Sequence, residues 1–253
     1  MANKNLTGIK VYESNKEKEL RELITELLKN CPIPDDQLIS NLGLFLNSKN
    51  LSRILFMDDL FKQIVDIPGV IFEFGTRWGQ NLGLLSALRG IYEPFNRHRK
   101  IVGFDTFTGF PEINPEDGKS DLMLKGNLSL TKGYFEYLTK IMEYHEQGNP
   151  VSHIKKYELI KGDANLEIIN YLKKHPETIV ALAYFDFDVY KPTKKCLQAI
   201  RPHLVKGSIL GFDELNDPDS PGETLALNEV FGLNNITLKR YKFISRTSYF
   251  VVE

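Results

Sequence analysis

From Gly69 onward, the chain alternates short runs rich in β-branched and aromatic residues with stretches of helical length. This alternation is typical of βα units, which build a mostly parallel sheet with helices on both faces. The predicted strands cover residues 70–74, 100–105, 157–161, 179–186 and 208–212, and the predicted helices lie near 81–92, 133–146, 166–174, 192–202 and 223–231. Two more runs, 236–243 and 247–252, are close enough to pair as a hairpin that adds an antiparallel edge. The sequence therefore predicts an α/β fold with a seven-stranded, mostly parallel sheet.

The part before Gly69 has a helical pattern instead. Leucines and isoleucines recur at i, i+3, i+4 spacing through residues 14–30, and Pro32 and Pro34 follow where a helix should end. Residues 35–49 and 52–65 are also predicted to be helical. A chain of 253 residues is about one and a half times the usual ~150 per domain. We therefore predict one α/β domain over residues 67–253, with a helical segment or lid over residues 1–66.

Composition narrows the class of protein. Hydrophobic residues at 42% and charged residues at 26% are ordinary for a globular chain and argue against disorder or a fibrous repeat. Thirty-two basic against 33 acidic residues leave a net charge of -1, which gives no sign of a nucleic-acid partner or of an anionic membrane surface.

Cysteine use and hydropathy predict the compartment. Cys31 and Cys196 are too few for a disulfide framework and lack metal-ligand spacing, so a reducing compartment is the simpler interpretation. No apolar run is long enough to span a membrane, and the first residues lack the apolar core of a signal peptide. We expect a cytoplasmic protein.

A glycine turn follows the first predicted strand, in the sequence EFGTRWG at 73–79. Glycines at a strand-to-helix turn let the backbone approach a ligand closely, but an ordinary tight turn would have the same appearance. The three-glycine dinucleotide fingerprint is absent, which disfavours a nicotinamide dehydrogenase. The second strand ends in Asp105, which suits hydrogen bonds from ribose hydroxyls, although helix capping would explain it equally well.

Four carboxylates mark the ends of two later strands. The apolar strand before residue 186 ends in Asp186 and Asp188, and the next strand ends in Asp213 and Glu214. If the backbone is still extended, Asp186 and Asp188 point to the same side; if the strands are adjacent and parallel, all four groups converge at one sheet edge. Such charges repel one another unless a cation or a proton compensates them, and oxygen ligands suit Mg²⁺. The alternative is that these acids cap the following helices.

The same residues resemble a known family. The sequence GVIFEFGTRWG at 69–79 is similar to the cofactor loop of class I S-adenosylmethionine-dependent methyltransferases, specifically the macrocin O-methyltransferase type that acts on sugar hydroxyls. Three further segments resemble that family's DSFxGLP, DGDLYxST and VDD motifs, namely DTFTGFP at 105–111, DFDVYKPT at 186–193 and FDE at 212–214. PGETLALNEVF at 221–231 falls on the family's Pro-Gly helix. The resemblance covers about residues 66–250 and implies a Rossmann-like fold.

The resemblance also implies a role for each matched position. Residues expected to bind S-adenosylmethionine are Glu73, Gly75, Thr76, Gly79, Asp105, Thr106, Asp163, Ala164 and Asp186. Residues expected to hold Mg²⁺ are Asp186, Asp213 and Glu214. Asp188 would be the base that deprotonates the acceptor hydroxyl. Two positions depart from the family: Phe187 replaces a glycine, which would narrow the acceptor pocket, and Glu214 replaces an aspartate.

Taken together, these features predict a Mg²⁺-dependent sugar O-methyltransferase. Its acceptor would be a nucleotide-linked deoxysugar or heptose of polysaccharide or glycosylated-metabolite biosynthesis. Two alternatives stay open, a catechol-type O-methyltransferase for small phenols and a nucleotide-binding module without turnover. The N-terminal helical segment is a plausible contact for a homodimer.

Overall fold

The computed structural model describes residues 14–253. Its first part contains α1 (Asn15–Lys29), α2 (Asp35–Leu38), a 3₁₀ helix (Ile39–Phe45) and α3 (Ser48–Ile64). The α/β part contains β1 (Val70–Phe74), α4 (Gln80–Tyr92), β2 (Ile101–Asp105), α5 (Tyr134–Gly148), β3 (Tyr157–Lys161), α6 (Ala164–Lys174), β4 (Val180–Phe185), α7 (Tyr190–Ile200), β5 (Leu204–Phe212), α8 (Gly222–Phe231), β6 (Lys239–Arg240) and β7 (Ser248–Val251). None of the helices within 14–253 is both long and apolar enough to cross a membrane.

The strands over the described residues form one seven-stranded sheet in the order β3-β2-β1-β4-β5-β7-β6. The first five in this order are parallel, whereas β7 is antiparallel to both β5 and β6. The predicted fold class and hairpin edge are confirmed. The order reverses between β1 and β4, and the carboxyl ends of strands beside such a switch point form the crevice where ligands bind.

Each face of the sheet carries its own core. Helices α6, α7 and α8 cover one face, with Ile168, Leu197 and Leu227 fully buried. Helices α3, α4 and α5 cover the other face. Central strands buried on both sides are continuously apolar, as in β4, in which all six residues are buried.

The N-terminal helices differ in how they are packed. Helix α1 begins with a capping box between Ser14 and Glu17 and has no buried residue. Helix α3 instead buries one apolar face completely against the sheet and α4, through Phe56, Met57, Leu60, Phe61 and Ile64. Helix α3 is thus part of the core. The division at residue 66 and the lid role stay predictions.

Two predicted elements are wrong in extent. The helix expected over 35–49 is a four-residue α-helix followed by a 3₁₀ helix that includes Gly43, since glycine disfavours a continuous α-helix. The strand expected over 236–243 is reduced to Lys239–Arg240. It is an edge strand with a single neighbour, β7.

Candidate active site

A first cavity lies at the carboxyl ends of β1, β2, β3 and β4. Six of the predicted cofactor residues line it, namely Gly75, Asp105, Thr106, Asp163, Ala164 and Asp186. Thr76 lines a second, adjoining cavity, and Glu73 and Gly79 are absent from the described linings of both. The strand ends therefore bring most of the predicted residues to one place.

The glycine turn after β1 brings backbone close to backbone. Gly75 has φ +90°, and a Cβ built there would lie 2.0 Å from the carbonyl oxygen of Asp186. No side chain fits in that space, so the turn is tighter than an ordinary βα connection needs. Beneath it, Glu73 is 1% exposed, and its Oε2 has no hydrogen-bond partner. Burial raises the pKa of Glu73 to about 8.

Asp105 is held by backbone donors and caps no helix in the described chain. Its Oδ2 accepts from the Arg77 N–H at 2.7 Å and its Oδ1 from the Phe107 N–H at 2.5 Å. Each carboxylate oxygen retains a second lone pair, which can accept a hydroxyl proton. Asp163 does cap α6, through Oδ1 and the Asn165 N–H at 2.9 Å, while also lining the first cavity.

The long segment between β2 and α5 contributes to the lining of both cavities. Phe110, Pro111 and Leu128 line the first, and Ser120, Leu122 and Leu128 line the second. The loop is pinned at Asp117, whose side chain is fully buried and accepts from the Tyr190 N–H at the start of α7 at 2.6 Å. The loop is therefore tied to the same helix that follows Asp186 and Asp188.

Three carboxylates meet where the two cavities join. One oxygen each from Asp186, Asp188 and Glu214 lies within 4.8 Å of the other two; we call this the carboxylate cluster. Asp186 and Asp188 line both cavities, and Glu214 lines the second. The capping alternative is wrong, because the N-caps of α7 and α8 are Val189 and Pro221, neither with a side-chain capping bond.

The backbone at Asp188 is not extended, so Asp186 and Asp188 do not point to the same side of a strand. The strand ends at Phe185, and Asp188 has φ +61°. The left-handed conformation is uncommon for a residue other than glycine, and it is found most often at functional sites. The two aspartates meet through this turn rather than through strand alternation.

Mutual repulsion and burial favour the protonated forms of the cluster. Burial and the neighbouring Asp213 raise the pKa of Asp186, while burial and Asp188 raise the pKa of Glu214. Burial also raises the pKa of Asp188, to about 6. Glu214 is 3% exposed, and its Oε2 has no partner. A buried oxygen without a donor, beside two more carboxylates, fits a hard divalent cation.

Asp213 stands apart from the carboxylate cluster. Its Oδ1 lies 2.5 Å from Arg53 Nη1 and accepts the Tyr184 hydroxyl proton at 2.6 Å. Burial acts to raise the pKa of Asp213, but the Arg53 guanidinium holds this pKa below its ordinary value. Of the predicted metal ligands, Asp186 and Glu214 thus lie in the cluster, whereas Asp213 is ion-paired and the predicted base Asp188 takes the third place.

Two arginines and one buried glutamate that contact these acids were not predicted from the sequence. Arg246 Nη2 lies 3.1 Å from Glu214 Oε1, and Arg53 comes from α3, outside the predicted α/β domain. Glu223 is fully buried and accepts from the Phe187 N–H at 3.0 Å and from the Glu214 N–H at 3.4 Å. The compensation that the four carboxylates require is therefore supplied in part by arginines.

Phe187, which was expected to narrow the acceptor pocket, lies beside the first cavity. It belongs to the lining of the first cavity and lies 5.7 Å, centroid to centroid, from Phe74. Its aromatic ring therefore narrows the first cavity and not the second.

Comparison with solved structures identifies the fold and the family. The crystal structure of a calicheamicin methyltransferase, CalS11, is 44% identical with a TM-score of 0.93, covering 95% of this chain and 94% of that chain. The apo structure of CalS11, described as a TDP-rhamnose 3'-O-methyltransferase of calicheamicin biosynthesis, is 41% identical with a TM-score of 0.85, covering 95% and 96%.

A more distant likeness concerns the fold alone. The O-methyltransferase NovP is 15% identical with a TM-score of 0.60, covering 79% of each chain. No family model matches the chain, and no curated protein matches it. The near-complete coverage at 44% identity, with the motifs and cavities above, establishes that the chain belongs to the sugar O-methyltransferases, class I S-adenosylmethionine-dependent enzymes of the macrocin O-methyltransferase type.

Proposed function

We propose that this enzyme transfers the methyl group of S-adenosylmethionine to a hydroxyl of a nucleotide-linked deoxysugar or heptose, and that it needs Mg²⁺ to do so. One observation carries the proposal. Asp186 and Asp188 line both cavities, so they stand between a site for the methyl donor and a site for the acceptor. A methyl transfer requires donor carbon and acceptor oxygen to meet at such a boundary.

The donor would lie in the first cavity. Asp105 has lone pairs left for two ribose hydroxyls, and Asp163 and Ala164, at the start of α6, would lie beside the adenine. The methionine part would lie next to the Gly75 turn, where Thr76 Oγ1, Arg77 Nε and Glu73 Oε2 are buried polar atoms without partners. Three orphaned polar atoms around one turn support a polar ligand there, because such groups otherwise destabilise the fold.

The carboxylate cluster would hold Mg²⁺. Asp186 and Glu214 would be ligands from the cluster. Asp213, whose Oδ1 is engaged by Arg53 and Tyr184 and whose Oδ2 lies 3.9 Å from Arg246 Nη2, would join them only by exchanging Arg246 for the metal. Bound there, Mg²⁺ would lower the pKa of an acceptor hydroxyl and orient it.

Asp188 would act as the general base. Burial raises the pKa of Asp188 to about 6 in the protein without metal. A divalent cation bound beside it would lower this pKa, so Asp188 would be ionised at neutral pH and able to accept the proton of a hydroxyl that the cation acidifies. Its turn is braced by Glu223, which accepts the N–H of the preceding residue, Phe187. Glu223 thereby limits the movement of Asp188 relative to Asp186.

The sugar acceptor is supported by the relatives. Two structures of one relative, at 44% and 41% identity, carry the names calicheamicin methyltransferase and TDP-rhamnose 3'-O-methyltransferase. By this likeness the product would be a methylated sugar destined for a polysaccharide or a glycosylated metabolite, and the small-phenol acceptor becomes the alternative outcome of the test.

Incubation with methyl-labelled S-adenosylmethionine and a panel of nucleotide sugars and catechols tests the proposal, with products read by mass. We expect a gain of one methyl group on a nucleotide sugar, its loss after chelation, and its return with Mg²⁺. Labelling of catechols alone would reject the sugar acceptor. Full turnover after exhaustive chelation would reject the metal.

A further inference from the structure

A third concavity, which we call the basic cleft, extends from the second cavity to the protein surface. It has a volume of about 800 Å³ and lies between the first half of α3 and the turn that joins β6 to β7. It shares Arg53, Gln80, Asp213 and Arg246 with the second cavity. A molecule with one end at the carboxylate cluster can therefore continue into the basic cleft.

The charge of the basic cleft is opposite to that of the carboxylate cluster. Its lining holds three cations: Arg53 is paired with Asp213, Arg246 is paired with Glu214 and Asp217, and Lys49 adds a further positive charge. Arg53 uses only Nη1 for Asp213 and Tyr184 in the contacts above, and a guanidinium carries five N–H donors. Lysine and arginine are the usual partners of phosphate oxygens. The cleft therefore suits an anionic group beside the second cavity.

Two further features of the lining suit a nucleotide. Ser48 and Lys49 form the first turn of the 17-residue helix α3, where backbone N–H groups and the helix dipole favour an anion. In the turn between β6 and β7, Phe243 is 56% exposed, with Lys242 Nζ 4.7 Å from its ring centroid and Tyr241 packed edge-on against it. An exposed ring beside basic groups is the arrangement on which nucleobases stack.

We infer that the basic cleft binds the nucleoside diphosphate of the acceptor, with Lys49 on the diphosphate and Phe243 on the base. This inference rests on the proposed function, because it requires a nucleotide-linked sugar. It assigns to α3, a helix outside the predicted catalytic domain, a role in recognising the acceptor. The sugar would then lie in the second cavity, with its accepting hydroxyl at the carboxylate cluster.

Calorimetric titration of the enzyme, saturated with S-adenosylhomocysteine and Mg²⁺, tests the inference with two probes, thymidine diphosphate and inorganic pyrophosphate. Lys49→Ala should weaken both about tenfold or more, since a charge-assisted hydrogen bond is lost. Phe243→Ala should weaken only thymidine diphosphate, by roughly 5- to 100-fold, the contribution of one stacked base. Both effects on thymidine diphosphate should also appear as a raised KM for a nucleotide sugar with little change in kcat.

Lys62→Ala is the matched control, because Lys62 lies in the same helix but outside the cleft lining, paired with Asp58. It should bind both probes like the wild type. If Lys49→Ala and Phe243→Ala both bind thymidine diphosphate with wild-type affinity, the inference is overturned, whether or not sugars are methylated. Absence of methyl transfer to any sugar, with the two-probe pattern intact, would reject the proposed function while leaving the nucleotide site supported.

Discussion

Glu73→Gln measures how strongly the buried carboxyl under the glycine turn opposes folding when no ligand is bound. Glu73 is 1% exposed, with Oε2 unpartnered, and burial raises its pKa from an ordinary 4.5 to about 8. The folded state therefore binds more protons than the unfolded state between these two values. Stability is consequently lost as the pH rises through this window, and is greatest below it.

The magnitude follows from the same pKa difference. One pKa unit corresponds to about 1.4 kcal/mol, so the raised pKa of Glu73 lowers the free energy of unfolding, relative to its value at low pH, by about 3 kcal/mol at pH 7 and by about 5 kcal/mol above pH 9. These are upper limits, because the surroundings relax. Glutamine has nearly the same shape and no charge to bury. We expect the free energy of unfolding of Glu73→Gln to exceed that of the wild type by about 1–3 kcal/mol at pH 8.5 and by little at pH 5.

Urea unfolding at pH 5, 7 and 8.5, without cofactor and metal, measures this difference. Glu136→Gln, an exposed position in α5, is the control and should show no pH-dependent gain. Glu73→Gln should also lose affinity for S-adenosylhomocysteine if Glu73 faces the methionine part as proposed. A difference between Glu73→Gln and wild type that does not change from pH 5 to pH 8.5 would refute the reasoning.

Four further substitutions test the roles proposed above. S-adenosylhomocysteine, but not NADH, should raise the melting temperature by mass action, and Asp105→Ala should abolish the rise; an undiminished shift in that variant would remove Asp105 from the site. In steady-state kinetics at saturating Mg²⁺, Asp188→Asn should reduce kcat roughly 10²–10⁴-fold. Asp186→Asn should instead recover part of its rate as the Mg²⁺ concentration is raised. If raising the Mg²⁺ concentration rescues Asp188→Asn, Asp188 is the third metal ligand and not the base. Arg53→Met should destabilise the protein by about 2–3 kcal/mol at pH 8 in urea titrations, because Asp213 stays buried without its cation. That loss should shrink at pH 5, where Asp213 can take up a proton, and an equal loss at both values would assign it to packing.

The sequence predicts the cofactor side of the fold closely, for a physical reason. Parallel strands buried on both faces are continuous apolar runs, so β1 is found at the predicted residues and β4 within one residue of them at each end. Carboxylates that end such runs must lie at the carboxyl edge of the sheet. The register that aligns Phe185 with Phe212 then brings the acids after β4 and β5 to the same level.

What the sequence could not predict depends on distant contacts. The separation of Asp213 from the carboxylate cluster depends on Arg53, which comes from a helix predicted to be an appendage. One signal was available: Arg53 precedes Phe56 and Met57 by three and four residues, which places an arginine on the apolar face of α3. The left-handed turn at Asp188 has no such signal, because nothing in the local sequence requires it.

The pairing of Arg53 with Asp213 also means that α3 must wait for its partner while the chain is being synthesised. About 160 residues separate the two partners along the chain, and at about 5–20 residues per second a ribosome needs roughly ten to thirty seconds to make them. Until β4 and β5 have been synthesised, the apolar face of α3 lacks the sheet strands on which it packs. Until then, the apolar face of α3 can be covered only in part, by α4. A chaperone that binds apolar helices would find its target at α3, and a pause in translation before residue 213 would lengthen the interval in which the nascent chain can aggregate.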